Sequence, residues 1–231
     1  MGELCFQYGA KECEYLKSKD KKLAAVIERI GQINRACYDD LFEAVVNSII
    51  GQQISTKAHM SIWKRIKDDF GRLDAEKVLE LGRDRLQAYG ITWRKADYIM
   101  EFAQKVALGG FNLDEIKEMT DTEAIAALSS LKGIGVWTAE MILLFCLQRP
   151  DIFSYGDLAI LRGMRMVYRH KEIPRERFEK YRRRFSPYCS VASLYFWAVA
   201  GGAIPELSDP AAPKREPGAA RAMKSEAVER A

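Results

Sequence analysis

Inside "LSSLKGIGVWTAEMILLF" a helix has to stop and another has to start, with only Lys132, Gly133, Ile134 and Gly135 between them. Two helices joined so tightly must fold back on each other as a hairpin. The first N–H groups of the second helix then have no intrahelical partners and point outward. Glycine at 133 and 135 lets the backbone adopt positive φ and come close to a ligand, and the positive end of the helix dipole favours an anion. Ile134 anchors the turn by burying its side chain. Such a cradle suits a phosphate and reads no side chain or base. A Gly-x-Gly between two core helices is equally met by a plain connection, so the hairpin alone leaves function open.

The rest of the chain is also helical in pattern. Apolar residues recur at helical spacing over 21–31, 40–51, 55–70, 74–81, 83–89, 93–108, 112–119, 121–131, 135–148, 157–169, 174–185 and 188–200. Ser55, Thr92, Thr120 and Asp121 supply start signals, Pro174 suits a first turn, and Gly71, Gly90 and Gly109-Gly110 supply stops. No run of alternating β-branched residues competes, so the expected fold is all-α. With 231 residues and 48% hydrophobic content, the chain can bury one large core or two small ones. From Pro205 onward proline, alanine and balanced charge replace large apolar residues, which predicts a disordered or loosely attached tail over 205–231, with a short helix near 218–230 as the alternative.

The first residues carry charges throughout, so neither a secretory signal nor a membrane span is expected and an intracellular protein is. Cys5, Cys13, Cys37, Cys146 and Cys189 are scattered and odd in number, which predicts reduced thiols and no metal held by side chains. The net charge of +4 is unevenly placed. Residues 162–184 hold ten Lys/Arg against three Glu, a surplus of seven, so the remainder sums to −3. A solvated helical face and a phosphate-binding patch both explain such a run.

Asp157 opens an apolar helix in "PDIFSYGDLAILRGMRMV", 22 residues beyond Gly135. Taken singly it is an ordinary N-cap. Helix, Gly-x-Gly hairpin, helix, proline-containing loop and capping aspartate together form a much rarer compound pattern. "LKGIGVWTAEMILLF" followed by "FSYGDLAILRGM" resembles the helix–hairpin–helix DNA glycosylase superfamily. "FEAVVNSIIGQQISTKAHMSIWKRI" resembles its alkylation-repair branch, the 3-methyladenine DNA glycosylase II type, in a compact form. With "PYCSVASLYFWAVAG" the likeness spans roughly residues 40–201 in the family's order.

The resemblance implies two helical subdomains flanking a cleft: central helices over about 40–131, and N-terminal residues 1–39 packed with 132–204. It implies a monofunctional enzyme that flips an alkylated purine out of double-stranded DNA and hydrolyses its N-glycosidic bond, leaving an abasic site. Asp157 matches the catalytic aspartate. Trp137 matches a pocket tryptophan, at the position where strand-cleaving members carry a lysine nucleophile. Trp197 matches a second pocket tryptophan; Met141 stands where some members have tyrosine; Tyr38 and Tyr155 are further pocket candidates. Gln53 matches the gap-filling wedge, with Gln52 and Ile54 beside it. Lys132, Gly133, Gly135, Arg162 and Arg165 are the expected backbone contacts. No cofactor is required, although a monovalent cation at hairpin carbonyls near Gly133 fits the resemblance. The expected state is a monomer, cytoplasmic in a bacterium or archaeon and nuclear in a eukaryote. Two alternatives stay open: a module that binds damaged DNA without cutting it, and a glycosylase for deaminated, oxidised or mismatched bases.

Overall fold

The computed structural model describes residues 4–212. These form twelve helices: α1 (Ala10–Lys19), α2 (Lys21–Ile30), α3 (Leu41–Gly51), α4 (Thr56–Phe70), α5 (Ala75–Ala88), α6 (Trp93–Ala107), α7 (Leu113–Glu118), α8 (Asp121–Ser129), α9 (Val136–Phe145), α10 (Leu158–Tyr168), α11 (Arg175–Phe185) and α12 (Cys189–Ala200). The expected all-α class holds, and the only extended pairing among the described residues is an isolated bridge between Cys5 and Ala36.

Local chemistry accounts for most boundaries. Ser55 and Thr92 accept from backbone N–H groups at the starts of α4 and α6, and Thr120 forms a reciprocal box with Glu123 on α8. Asp121, expected as a cap, is instead the first residue of α8. The two expected segments 74–81 and 83–89 are the halves of α5, which breaks at Gly82 with φ 75°. Helix α1 was not expected. Only Leu16 is buried on it, so its apolar stripe is thin, and Glu12 starts it by accepting the Gly9 N–H.

Helices α5 and α6 pack together, with α3 against α4, α6 and α9. Helices α10 and α12 form the other main pair, joined by α1, α2 and α11. Phe153, Phe178, Phe185 and Phe196 meet in that second group. Residues 31–40, between the two groups, are strapped down. Phe6 N–H donates to the Arg35 carbonyl, Ile33 N–H to the Tyr8 hydroxyl, Tyr38 N–H to the Phe145 carbonyl, and Tyr195 Oη–H to the Gly31 carbonyl.

Of the tail, residues 205–212 lie against the body through the ion pairs Arg29–Glu206 at 2.8 Å and Arg165–Asp209 at 2.5 Å. The remainder, including the expected helix near 218–230, lies outside the described residues. All five cysteines are free thiols. Burial pushes the Cys146 thiol up to about 12, so it is inert. No helix among the described residues is long and apolar enough to cross a membrane.

Candidate active site

The hairpin forms as its sequence predicts. Helix α8 ends at Ser129, Ile134 is buried and donates back to the Leu131 carbonyl, and α9 starts without a side-chain cap on its N-terminal N–H groups. The two glycines do different work. Gly133 sits at φ 85°, where a Cβ would meet the Tyr98 ring at 2.6 Å. Gly135 corrects the expectation of positive φ: it lies at φ −92° with open space around it, so it is needed for approach and not for conformation. Lys132 is exposed and paired with Glu101 at 2.7 Å, which raises its pKa above the usual lysine value.

A cavity of about 680 Å³ opens between the end of α3, residues 33–38, and helices α9, α10 and α12. Trp137, Met141, Asp157, Trp197, Tyr38 and Gln52 all line it, a volume within the range of about 300–1,000 Å³ usual for small-ligand sites. Asp157 is the N-cap of α10 and only 6% exposed. Its Oδ1 accepts the N–H groups of Ala159 and Ile160, each at 2.9 Å, and the Trp197 indole at 3.1 Å. Its Oδ2 accepts only the Trp137 indole, at 2.9 Å. One oxygen is therefore engaged by three donors of the scaffold, and the other, with a single donor, keeps acceptor capacity.

Trp197 stacks on Phe145, centroids 5.4 Å apart, and the Arg35 guanidinium lies 4.9 Å from the Phe145 centroid. Tyr38 donates its hydroxyl to Asn47 Oδ1 at 2.8 Å. Asn47, His59, Phe145 and Arg35 are lining residues that sequence reasoning missed. Asn47 had a visible signal, a polar residue within "VVNSII"; Arg35 lies in irregular chain and had none. The His59 ring occupies the space a side chain at Gly51 would need, and burial lowers its pKa.

The loop carrying Asp157 is held from behind. Buried Ser154 donates to Glu140 on α9, whose carboxyl is pushed up by burial against the opposing pull of that hydrogen bond.

Two expected residues do not join the site. Tyr155 packs its ring against Phe178 at 5.2 Å under the Arg175 guanidinium, because the backbone before Gly156 turns it into the α11 side. Arg165 is committed to Asp209 through both Nε at 2.9 Å and an Nη at 2.5 Å, so its fork is not free for a phosphate. Arg162 is exposed. Gln53 and Ile54 are exposed, and Gln53 holds φ 54°, a left-handed conformation uncommon outside glycine. Gln52 donates its amide to the Gly133 carbonyl at 2.6 Å, so a cation at that oxygen would share it with a hydrogen bond.

Comparison with known proteins places this arrangement. The chain is 28% identical over 179 residues to DNA-3-methyladenine glycosylase 1 of Schizosaccharomyces pombe, covering 75% of this chain and 78% of that protein. The solved structure of a Bacillus halodurans DNA-3-methyladenine glycosidase superposes with a TM-score of 0.76 at 30% identity, covering 90% of this chain and 96% of that one. A Schizosaccharomyces pombe 3-methyladenine DNA glycosylase in complex with abasic DNA gives 0.72 at 26% identity, with coverage of 83% and 97%. The family model described as "HhH-GPD superfamily base excision DNA repair protein" matches residues 46–187, a span that takes in the loop after α3, the hairpin and Asp157. The chain belongs to the HhH-GPD superfamily of base excision DNA repair proteins.

Proposed function

We propose that this protein is a monofunctional DNA glycosylase that excises alkylated purines of the 3-methyladenine and 7-methylguanine type from double-stranded DNA. The observation that carries it is the placement of Asp157, a buried carboxylate anchored by two backbone N–H groups and two indoles at the wall of an aromatic cavity. A base inside a duplex cannot reach such a cavity, so the nucleotide must be extruded. Gln53, on the exposed loop after α3, would fill the gap, and the uncapped start of α9 would hold a backbone phosphate.

As the N-glycosidic bond breaks, the sugar gains positive charge. The free side of Asp157 Oδ2 would stabilise that charge and orient or deprotonate the attacking water. A purine methylated at N3 or N7 already carries positive charge and leaves readily, so little acid catalysis is required. The same charge favours stacking on the electron-rich faces of Trp137 and Trp197 over stacking of a neutral base. Strand cleavage needs an amine nucleophile, and the position where the resemblance puts one is Trp137. Lys132, the nearest alternative along the chain, is held protonated by Glu101, the opposite of what a nucleophile needs.

The test is incubation with a methylated-purine duplex, followed by alkali. Strand breaks that appear only after alkali support the proposal. Breaks without alkali, with an enzyme–DNA adduct trapped by borohydride, would refute its monofunctional part, and no abasic sites on any alkylated duplex would refute the whole.

A further inference from the structure

One face of α6 holds both DNA-facing loops. Lys95, Tyr98 and Glu101 are spaced by three and share that face. Lys95, 8% exposed, sends Nζ to the carbonyls of Ile50 at 2.8 Å and Gln52 at 2.6 Å, the last turn and cap of α3. Tyr98 packs where a Cβ on Gly133 would be, and Glu101 pairs with Lys132. A buried ammonium is costly unless its donors are met, and here two of the three are met by the orphan carbonyls at the negative end of a helix. The side chain of Gln52 closes the circuit by donating to the Gly133 carbonyl at 2.6 Å. Gln53 follows directly, in its left-handed conformation.

We propose that Lys95 and Gln52 are positioning residues that tie the gap-filling loop to the phosphate-gripping hairpin, so that backbone grip and insertion of Gln53 act as one unit. The proposal rests on the glycosylase reading above. Lys95 fixes the backbone on one side of Gln53, and Gln52 passes that constraint to Gly133. Lys95 lies outside the cavity lining and Gln52 within it, and the effect shared by the two is on the extrusion step.

The test compares two duplexes, one with 7-methylguanine paired to cytosine and one with 7-methylguanine opposite an abasic-site analogue, where extrusion breaks no base pair. For Gln52→Leu, a change at a half-buried position that also lines the cavity, the loss of kcat/KM is expected to be about tenfold or more greater on the paired duplex than on the unpaired one. Lys95→Met is expected to show the same split, with its thermal melting recorded in parallel; if it does not fold, Gln52→Leu alone decides. Equal loss on both duplexes, or no loss on either, would overturn the coupling. Base release by the parent from the unpaired duplex reports on the glycosylase reading itself, and its absence would remove that reading and this proposal with it.

Discussion

Asp157 lines the cavity and Gln53 lies one residue beyond the lining residue Gln52, yet their surroundings could hardly differ more. The carboxylate is 6% exposed, accepts four hydrogen bonds and sits at the start of a helix packed against α12. Gln53 is exposed, sits on a loop and holds φ 54°. A group that must stabilise charge gains from a fixed, preorganised position. A group that enters DNA, the role proposed for Gln53, has to stand clear of the protein, and here the residue before it is tied down at both its carbonyl and its side chain.

If chemistry belongs to the first wall and extrusion to the second, substitutions should separate the two. The largest effect is expected for Asp157→Asn, which keeps shape and cap but loses charge. Its kcat should fall about 10²–10³-fold with abasic-duplex affinity nearly unchanged, measured by single-turnover excision and titration. Trp137→Phe keeps a ring and deletes the donor to Oδ2, so kcat should fall about tenfold, the equivalent of one hydrogen bond to a charged group. Gln53→Gly should cost a similar factor on paired duplex while raising unfolding free energy by up to about 1 kcal/mol, because glycine relieves the left-handed strain. Loss of activity together with loss of stability would break the comparison.

The basic stretch sharpens it further. Arg162→Ala should lower the slope of log affinity against log salt by about 0.9, whereas Arg165→Ala should leave the slope unchanged. Arg165→Ala should instead destabilise the fold by about 1 kcal/mol, because half-buried Asp209 loses its two-pronged guanidinium partner and keeps only the Ala211 N–H. The smallest effect concerns Glu140. Burial raises its folded pKa above 4.5, so the native state holds a proton that the unfolded state has lost, and stability declines as pH rises from about 4.5 through the raised value. Glu140→Gln, which keeps an acceptor for Ser154, should flatten that decline in urea titrations across the acid range.

The two walls also differ in how far they were legible from residues alone. The hairpin, Asp157, Trp137 and Trp197 are adjacent to glycines, caps and apolar helices, and such local signals carry over directly into structure. That Tyr155 turns towards Phe178 and Arg165 pairs with Asp209 is not legible there, because position along the chain does not say which face of the backbone a side chain takes, or that Asp209 claims a guanidinium 44 residues away. Lys95 and Arg35 act only through contacts made by folding, with Ile50 and Gln52 in one case and Phe145 in the other, and nothing in their neighbours signals it. Helix α1 stayed hidden because its pattern is mostly charge around a single buried leucine.

The most direct measurement of the central claim is chromatography of the free bases released from methylated duplex DNA by the parent and by Asp157→Asn, each shown to bind abasic duplex. Free 3-methyladenine or 7-methylguanine is expected from the parent, and no release above the spontaneous rate from the variant. Equal release by both proteins would show that Asp157 is only a helix cap, and no release by the parent would show that the cavity serves binding without chemistry.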